Sequence, residues 1–98
     1  MPPMYSNEHT LQELLRKAYH QLDMDDTANE IEVKSAYSRV VGDFINRLTY
    51  SAKFSHGTLS LSIPSAALKQ ELFYKRSSLA DKINEAIGRN VVKKIVFL

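Results

Sequence analysis

The chain has 98 residues, 44% of them apolar and 24% charged, with no cysteine; this is one small domain of ordinary composition, in which disulfides and cysteine-based metal sites are excluded. No apolar run approaches the roughly 20 residues that span a bilayer, and the opening MPPMYSNEHT lacks the basic and apolar regions of a secretory signal, so a cytoplasmic protein with no membrane partner is expected. The net charge of +2 hides a split: residues 1–48 carry five Lys/Arg against eight Asp/Glu (net −3), and residues 49–98 carry eight against three (net +5).

Residues 1–9 are expected to form a flexible leader, and residues 10–98 a single domain. Thr10 and Glu13 have the spacing of a capping box, and Leu11, Leu14, Leu15, Ala18, Tyr19 and Leu22 recur on one face behind it, predicting a helix from about 10 to 23. The acidic stretch Asp23–Thr27 breaks that helix; it lacks the glycine and the distal glutamate of a calcium loop, so a linker and helix start is the simpler assignment. Thr27 and Glu30 form a second capping-box pattern, and Val33, Tyr37, Val40, Val41, Phe44, Ile45 and Leu48 continue a helical stripe interrupted at Gly42. From Thr49 the period changes to two. Tyr50, Ala52 and Phe54, then Leu59, Leu61 and Ile63 across His56-Gly57, predict a β-hairpin with one buried face. Pro64 ends the second strand and Ser65 suits a helix N-cap, with Leu68 and Leu72 facing inward. The stretch YKRSS (74–78) interrupts that helix. Ser78 and Asp81 suit a new N-terminus ahead of Leu79, Ile83, Ala86 and Ile87, and Gly88 suits its C-terminal stop. VVKKIVFL (91–98) closes the chain as a strand with apolar residues on both faces, so its register stays open. The pattern is an α+β fold: an extra N-terminal helix, then α-β-β-α-α-β, with a three-stranded sheet and helices on one face.

No catalytic constellation emerges. His9, His20 and His56 have no partner at ligand spacing, the serines occupy strand exteriors and helix starts, and no nucleophile elbow, phosphate loop or dinucleotide fingerprint occurs. A protein that is not an enzyme and needs no cofactor is expected. The basic half points elsewhere. Lys75 and Arg76 stand where one helix gives way to the next, before Ser77 and Ser78, and a helix N-terminus with cations beside it suits a phosphate. Tyr74 offers a ring for base stacking, Lys69 extends the patch, and Lys53, Lys93 and Lys94 supply a basic edge. The plainer alternative is that these lysines keep the surface soluble and guard a sheet edge. Tyr37, Phe44, Tyr50, Phe54 and Phe97 are expected in the core, whereas Phe73, beside Tyr74, is a candidate for stacking or partner docking. The first helix carries an apolar stripe that either completes the core or meets a partner.

Residues 37–98 resemble the DciA-like family of bacterial domains. The residues that carry the resemblance are Tyr37 before Val40, Val41 and Gly42; Gly57, Leu59 and Leu61; Ser65, Ala67 and Leu68; Leu72; Ile83, Asn84 and Gly88; and Ile95 and Phe97. The chain looks like a short, single-domain member of the kind found in Bacteroidetes-type bacteria. The resemblance implies a KH-like fold of the second type, binding of single-stranded DNA or RNA, and association with the replicative helicase DnaB, whose loading such a module would assist. Where a KH domain carries its GXXG loop, this chain has YKRSS without glycine, so backbone clamping of nucleotides gives way to side-chain charge. Two other functions remain open: an RNA-binding KH-like protein, and a protein-interaction adaptor that never touches nucleic acid.

Overall fold

The computed structural model describes residues 8–21 and 25–98. The elements run α1 (Glu8–Gln21), α2 (Asp25–Arg47), β1 (Ser51–Ser55), β2 (Thr58–Ser62), α3 (Ala66–Tyr74), α4 (Arg76–Ile87) and β3 (Lys94–Phe97). The fold is α+β, and its last six elements follow the α-β-β-α-α-β order. The sheet is ordered β1-β2-β3, with β1 antiparallel and β3 parallel to the central β2.

Period two decides which side of the sheet is dry. The register aligns Phe54 with Leu59 and Ile95, and Ala52 with Leu61 and Phe97. All six belong to the hydrophobic cluster formed with Val33, Ala36 and Tyr37 of α2, Leu72 of α3, and Leu79 and Ile83 of α4. The alternate residues Ser51, Lys53, Ser55, Thr58, Ser60, Ser62, Lys94 and Val96 share the other face. His56 (φ 50°) and Gly57 (φ 83°) turn the hairpin, both in the left-handed region that a tight two-residue connection requires.

Both capping-box expectations shift. α1 begins at Glu8 and α2 at Asp25, so Thr10 and Thr27 lie inside their helices rather than at the caps. The Glu30 carboxylate instead accepts from the Phe54 backbone N–H of β1 (3.3 Å), capping an edge amide of the sheet. α1 thus includes Glu8 and His9 of the span expected as a leader; residues 1–7, and Asp23 and Met24 of the acidic stretch, lie outside the described residues. Phe44 and Tyr50, expected in the core, are 74% and 82% exposed. Gly42 (φ 87°, ψ 168°) breaks the helical path of α2, so Phe44 falls out of phase with the stripe of Val33 and Tyr37; Tyr50 precedes β1, outside the span in which alternation sets its side. The final strand is shorter than expected: Val91 and Val92 are buried but precede it.

α1 packs on α2, and among the described residues it contributes none to the buried cluster. Its Arg16 guanidinium grips Glu32 of α2 at 3.0 Å, and Arg89, beyond α4, reaches the same carboxylate at 2.9 Å. Leu11 and Leu15 of its stripe remain about half exposed.

Candidate nucleic-acid interface

Three local devices place the basic residues. Ser65 caps α3, its hydroxyl accepting from the Leu68 N–H (3.3 Å), directly after the strand-ending Pro64. At Lys75 (φ −101°, ψ 14°) α3 stops and α4 starts, Lys75 serving as cap to both. The third device is Asn84 on α4. Its Oδ1 accepts from Val91 N (3.0 Å) and Val92 N (2.8 Å), and its Nδ2 donates to Val92 O (3.0 Å) and Asn90 Oδ1 (3.1 Å). This holds the segment after Gly88 against α4, so that Lys93 and Lys94 enter the sheet beside the hairpin turn, where both backbone N–H groups donate to Gly57 O (2.8 and 3.2 Å). A Cβ on Gly57 would stand 2.9 Å from Lys93 Cγ, so the absent side chain leaves the lysine its path.

The α3–α4 junction is built differently from the sequence expectation. No side chain caps α4, and Ser77 and Ser78 lie in its first turn instead of Ser78 heading it. The carbonyl end of α3 abuts the amide end of α4, so their opposed partial charges offset and leave little of an isolated helix N-terminus. Arg76 turns back to donate to Phe73 O (2.9 Å) and lies over the Phe73 ring, 4.1 Å from its centroid. Any positive potential here comes from side chains.

Those side chains meet along the outer edge of β3. Arg76, Ser77, Ala80, Lys93, Lys94 and Ile95 line a cavity of about 130 Å³ between α4 and the strand. A second cavity of about 300 Å³ continues the line between α3 and β3, bounded by Ala66, Lys69, Gln70, Phe73 and Phe97. Phe73 joins the two, packing edge-on against Phe97 (centroids 6.1 Å apart) while Arg76 covers its face. The result is a furrow with four cations, Lys69, Arg76, Lys93 and Lys94, an aromatic wall, and no carboxylate among the described residues that line it.

The sequence-predicted set is thus divided. Lys69, Arg76, Ser77, Lys93 and Lys94 come together in the furrow. Lys75 and Ser78 face a different concavity, with Val40, Val41 and Lys82, and Lys75 is paired with Glu71 at 3.0 Å. Tyr74 is exposed at the junction, edge-on to Phe73 (6.1 Å). Lys53 lies on the open face of the sheet, two strands from β3. Phe97, expected only as core, supplies half of the aromatic wall; the unsettled register of residues 91–98 hid that role. Among the described residues no cluster of three His, Cys, Asp or Glu side chains is placed to hold a metal ion. No helix of the described residues is long and apolar enough to cross a membrane.

A family model described as Dna[CI] antecedent, DciA, matches residues 8–97. No curated protein and no solved structure matches the chain.

Proposed function

We propose that the chain, which belongs to the DciA family, binds single-stranded nucleic acid along the α3/α4–β3 furrow. The family is associated with DNA replication, so the role is replication-related. The observation that carries the proposed activity is the furrow itself: four cations and an aromatic wall, with no carboxylate along the lining. Arg76, held over the Phe73 ring, presents the rest of its fork to a phosphate; Lys69, Lys93 and Lys94 act as point charges, and the Ser77 hydroxyl donates at close range. Tyr74 and the rim of Phe73 offer surfaces for base stacking, a contact worth about 1–3 kcal/mol per base and tolerant of sequence. On a KH-like frame without a glycine loop, side-chain charge replaces backbone clamping.

The test is fluorescence anisotropy with labelled oligothymidylate and oligouridylate over a salt series. Four phosphate contacts on a single strand predict a slope of log K against log salt near about −3. Arg76→Glu with Lys93→Glu should abolish most of the binding, while Lys75→Glu, on the far side of the junction, should have a small effect. A flat salt dependence, or a double variant that binds as well as the parent, refutes the furrow. Preference for one oligomer separates a DNA role from an RNA role.

The same reading assigns the helicase-facing role to the acidic half, where the half-exposed Leu11 and Leu15 of α1 and Ile31 of α2 sit beside the Arg16–Glu32 pair. Capture of the replicative helicase that survives nuclease and is lost on Leu11→Ser with Leu15→Ser supports it. Capture that nuclease abolishes would assign the contact to bridging nucleic acid.

A further inference from the structure

The open face of the sheet is a second cationic surface, and the furrow runs onto it at Lys94. The register sets Ser55, Thr58 and Lys94 in one row across the three strands, Lys53, Ser60 and Val96 in the next, and Ser51 and Ser62 in a third. The side chains that alternate with these rows are the ones buried under the helices, so the rows themselves face solvent; Lys53, Ser55 and Lys94 are exposed. Hydroxyl residues alternating with apolar ones are usual on a solvated sheet face. Three features are particular to this one. It bears two lysines. None of the three strands contains Asp or Glu. And Lys93 and Lys94, neighbours in the chain, both line the furrow while Lys94 also heads a row of the open face.

We propose that a nucleic-acid strand longer than the furrow passes over the β3 edge at Lys93–Lys94 and continues across the open face to Lys53. This rests on the furrow being a nucleic-acid site. Neighbouring strands lie about 4.8 Å apart, so β1 stands about 10 Å from β3, a gap that the two long lysine side chains narrow to the separation of nearby phosphates on one strand. Between them Thr58 and Ser60 of β2 present hydroxyls that donate to phosphate oxygens. All of these contacts are to the backbone, so the open face adds affinity and sets the direction of the strand without reading bases. The furrow binds short oligomers by itself; the open face matters only for longer ones.

The test compares a 5-mer and a 15-mer of oligothymidylate against the full chain and two variants, Lys53→Glu on the open face and Arg76→Glu in the furrow, with Lys53→Gln as a milder version of the first. Lys53→Glu should leave 5-mer affinity within about twofold, weaken the 15-mer by about five- to tenfold, and lower the magnitude of the 15-mer salt slope by about 0.7 for the lost contact. Lys53→Gln should move the 15-mer the same way by a smaller factor, and Arg76→Glu should weaken both lengths. If Lys53→Glu leaves the 15-mer unchanged, or weakens both lengths equally, while Arg76→Glu weakens both, the open-face path is wrong and the furrow stands. If Arg76→Glu changes neither length, the furrow itself is wrong.

Discussion

Replacing Asn84 with alanine removes the residue on which the placement of β3 depends. All of its side-chain hydrogen-bonding groups are engaged, with Val91 N, Val92 N, Val92 O and Asn90 Oδ1 at 2.8–3.1 Å. Val91 and Val92 are only 8% and 2% exposed, so their two amides would be left in apolar surroundings with little access to water. A buried amide without a partner costs about 1–3 kcal/mol, and the two lost donor bonds, nearer the surface, somewhat less. With partial relief by water the total is about 3 kcal/mol, which for a domain of this length lowers the melting temperature by roughly 15 °C. Asn84→Asp keeps an acceptor for both amides and forfeits the donors, so it should fall between alanine and the parent. Urea and thermal denaturation followed by circular dichroism give both values. A cost below about 1 kcal/mol for Asn84→Ala, or an aspartate variant no more stable than alanine, would refute this role of Asn84.

Three further outcomes follow from particular contacts. Burial raises the Tyr37 phenol above its ordinary pKa of 10.0, with the hydrogen bond to Thr49 (2.8 Å) partly opposing the rise. The unfolded chain then loses that proton first, so this contribution is whole below pH 10 and declines as the pH rises beyond it. Tyr37→Phe should flatten the alkaline decline in a pH series of denaturation curves while costing about 1 kcal/mol at neutral pH. Gly57→Ala places a Cβ against Lys93 Cγ at a positive φ, and should cost about 1–3 kcal/mol in denaturation; oligonucleotide affinity should fall with it as Lys93 is displaced. Arg16→Gln removes the hold of α1 on the Glu32 carboxylate and leaves the Arg89 pair in place. Hydrogen exchange in α1 should accelerate about fivefold, the effect of about 1 kcal/mol for a partly exposed pair, while amides of β2 keep their protection because the described side chains of α1 lie outside the buried cluster. Equal acceleration in both would show that α1 and the core open together.

Period and punctuation carried most of the fold. The change from helical to two-residue spacing at Thr49, the left-handed pair His56–Gly57, Ser65 after Pro64, and Gly88 (φ 90°) each mark a boundary that local chemistry alone sets. The failures have two causes, a tertiary contact that overrode a local pattern and a backbone break that shifted its phase. Glu30 has capping-box spacing but caps a β1 amide twenty-four residues away. Phe44 continues the stripe of α2 in sequence, yet Gly42 turns it out to solvent. The site was legible in composition and only partly in position. Lys75 and Arg76 are adjacent in the chain and diverge by about 100° around a helix axis, so one faces Lys82 and the other faces Lys93. No spacing in the sequence shows that residues 69, 76 and 93 share a furrow, because the parallel return of β3 beside β2 is what brings them together.

The charge split acquires a meaning once the ion pairs are assigned. Of the eight cations in residues 49–98, Arg89 is held by Glu32 across the fold and Lys75 by Glu71 one turn away. Lys82 faces α2 with Lys75. What remains is Lys69, Arg76, Lys93 and Lys94 in the furrow and Lys53 on the open face beside it. A lysine that served only solubility could sit anywhere on the surface, and Glu85 of α4 could as well have fallen beside the strand. Instead Glu85 lies with Val40 and Lys82 on the α2 side of its helix. Neutral scatter would place acids and bases together in both concavities. Here Glu71 and Glu85 lie with Lys75 and Lys82 on the helical side, and the positive charge that no carboxylate holds follows β3, the distribution that the proposed path of a polyanion along that strand requires.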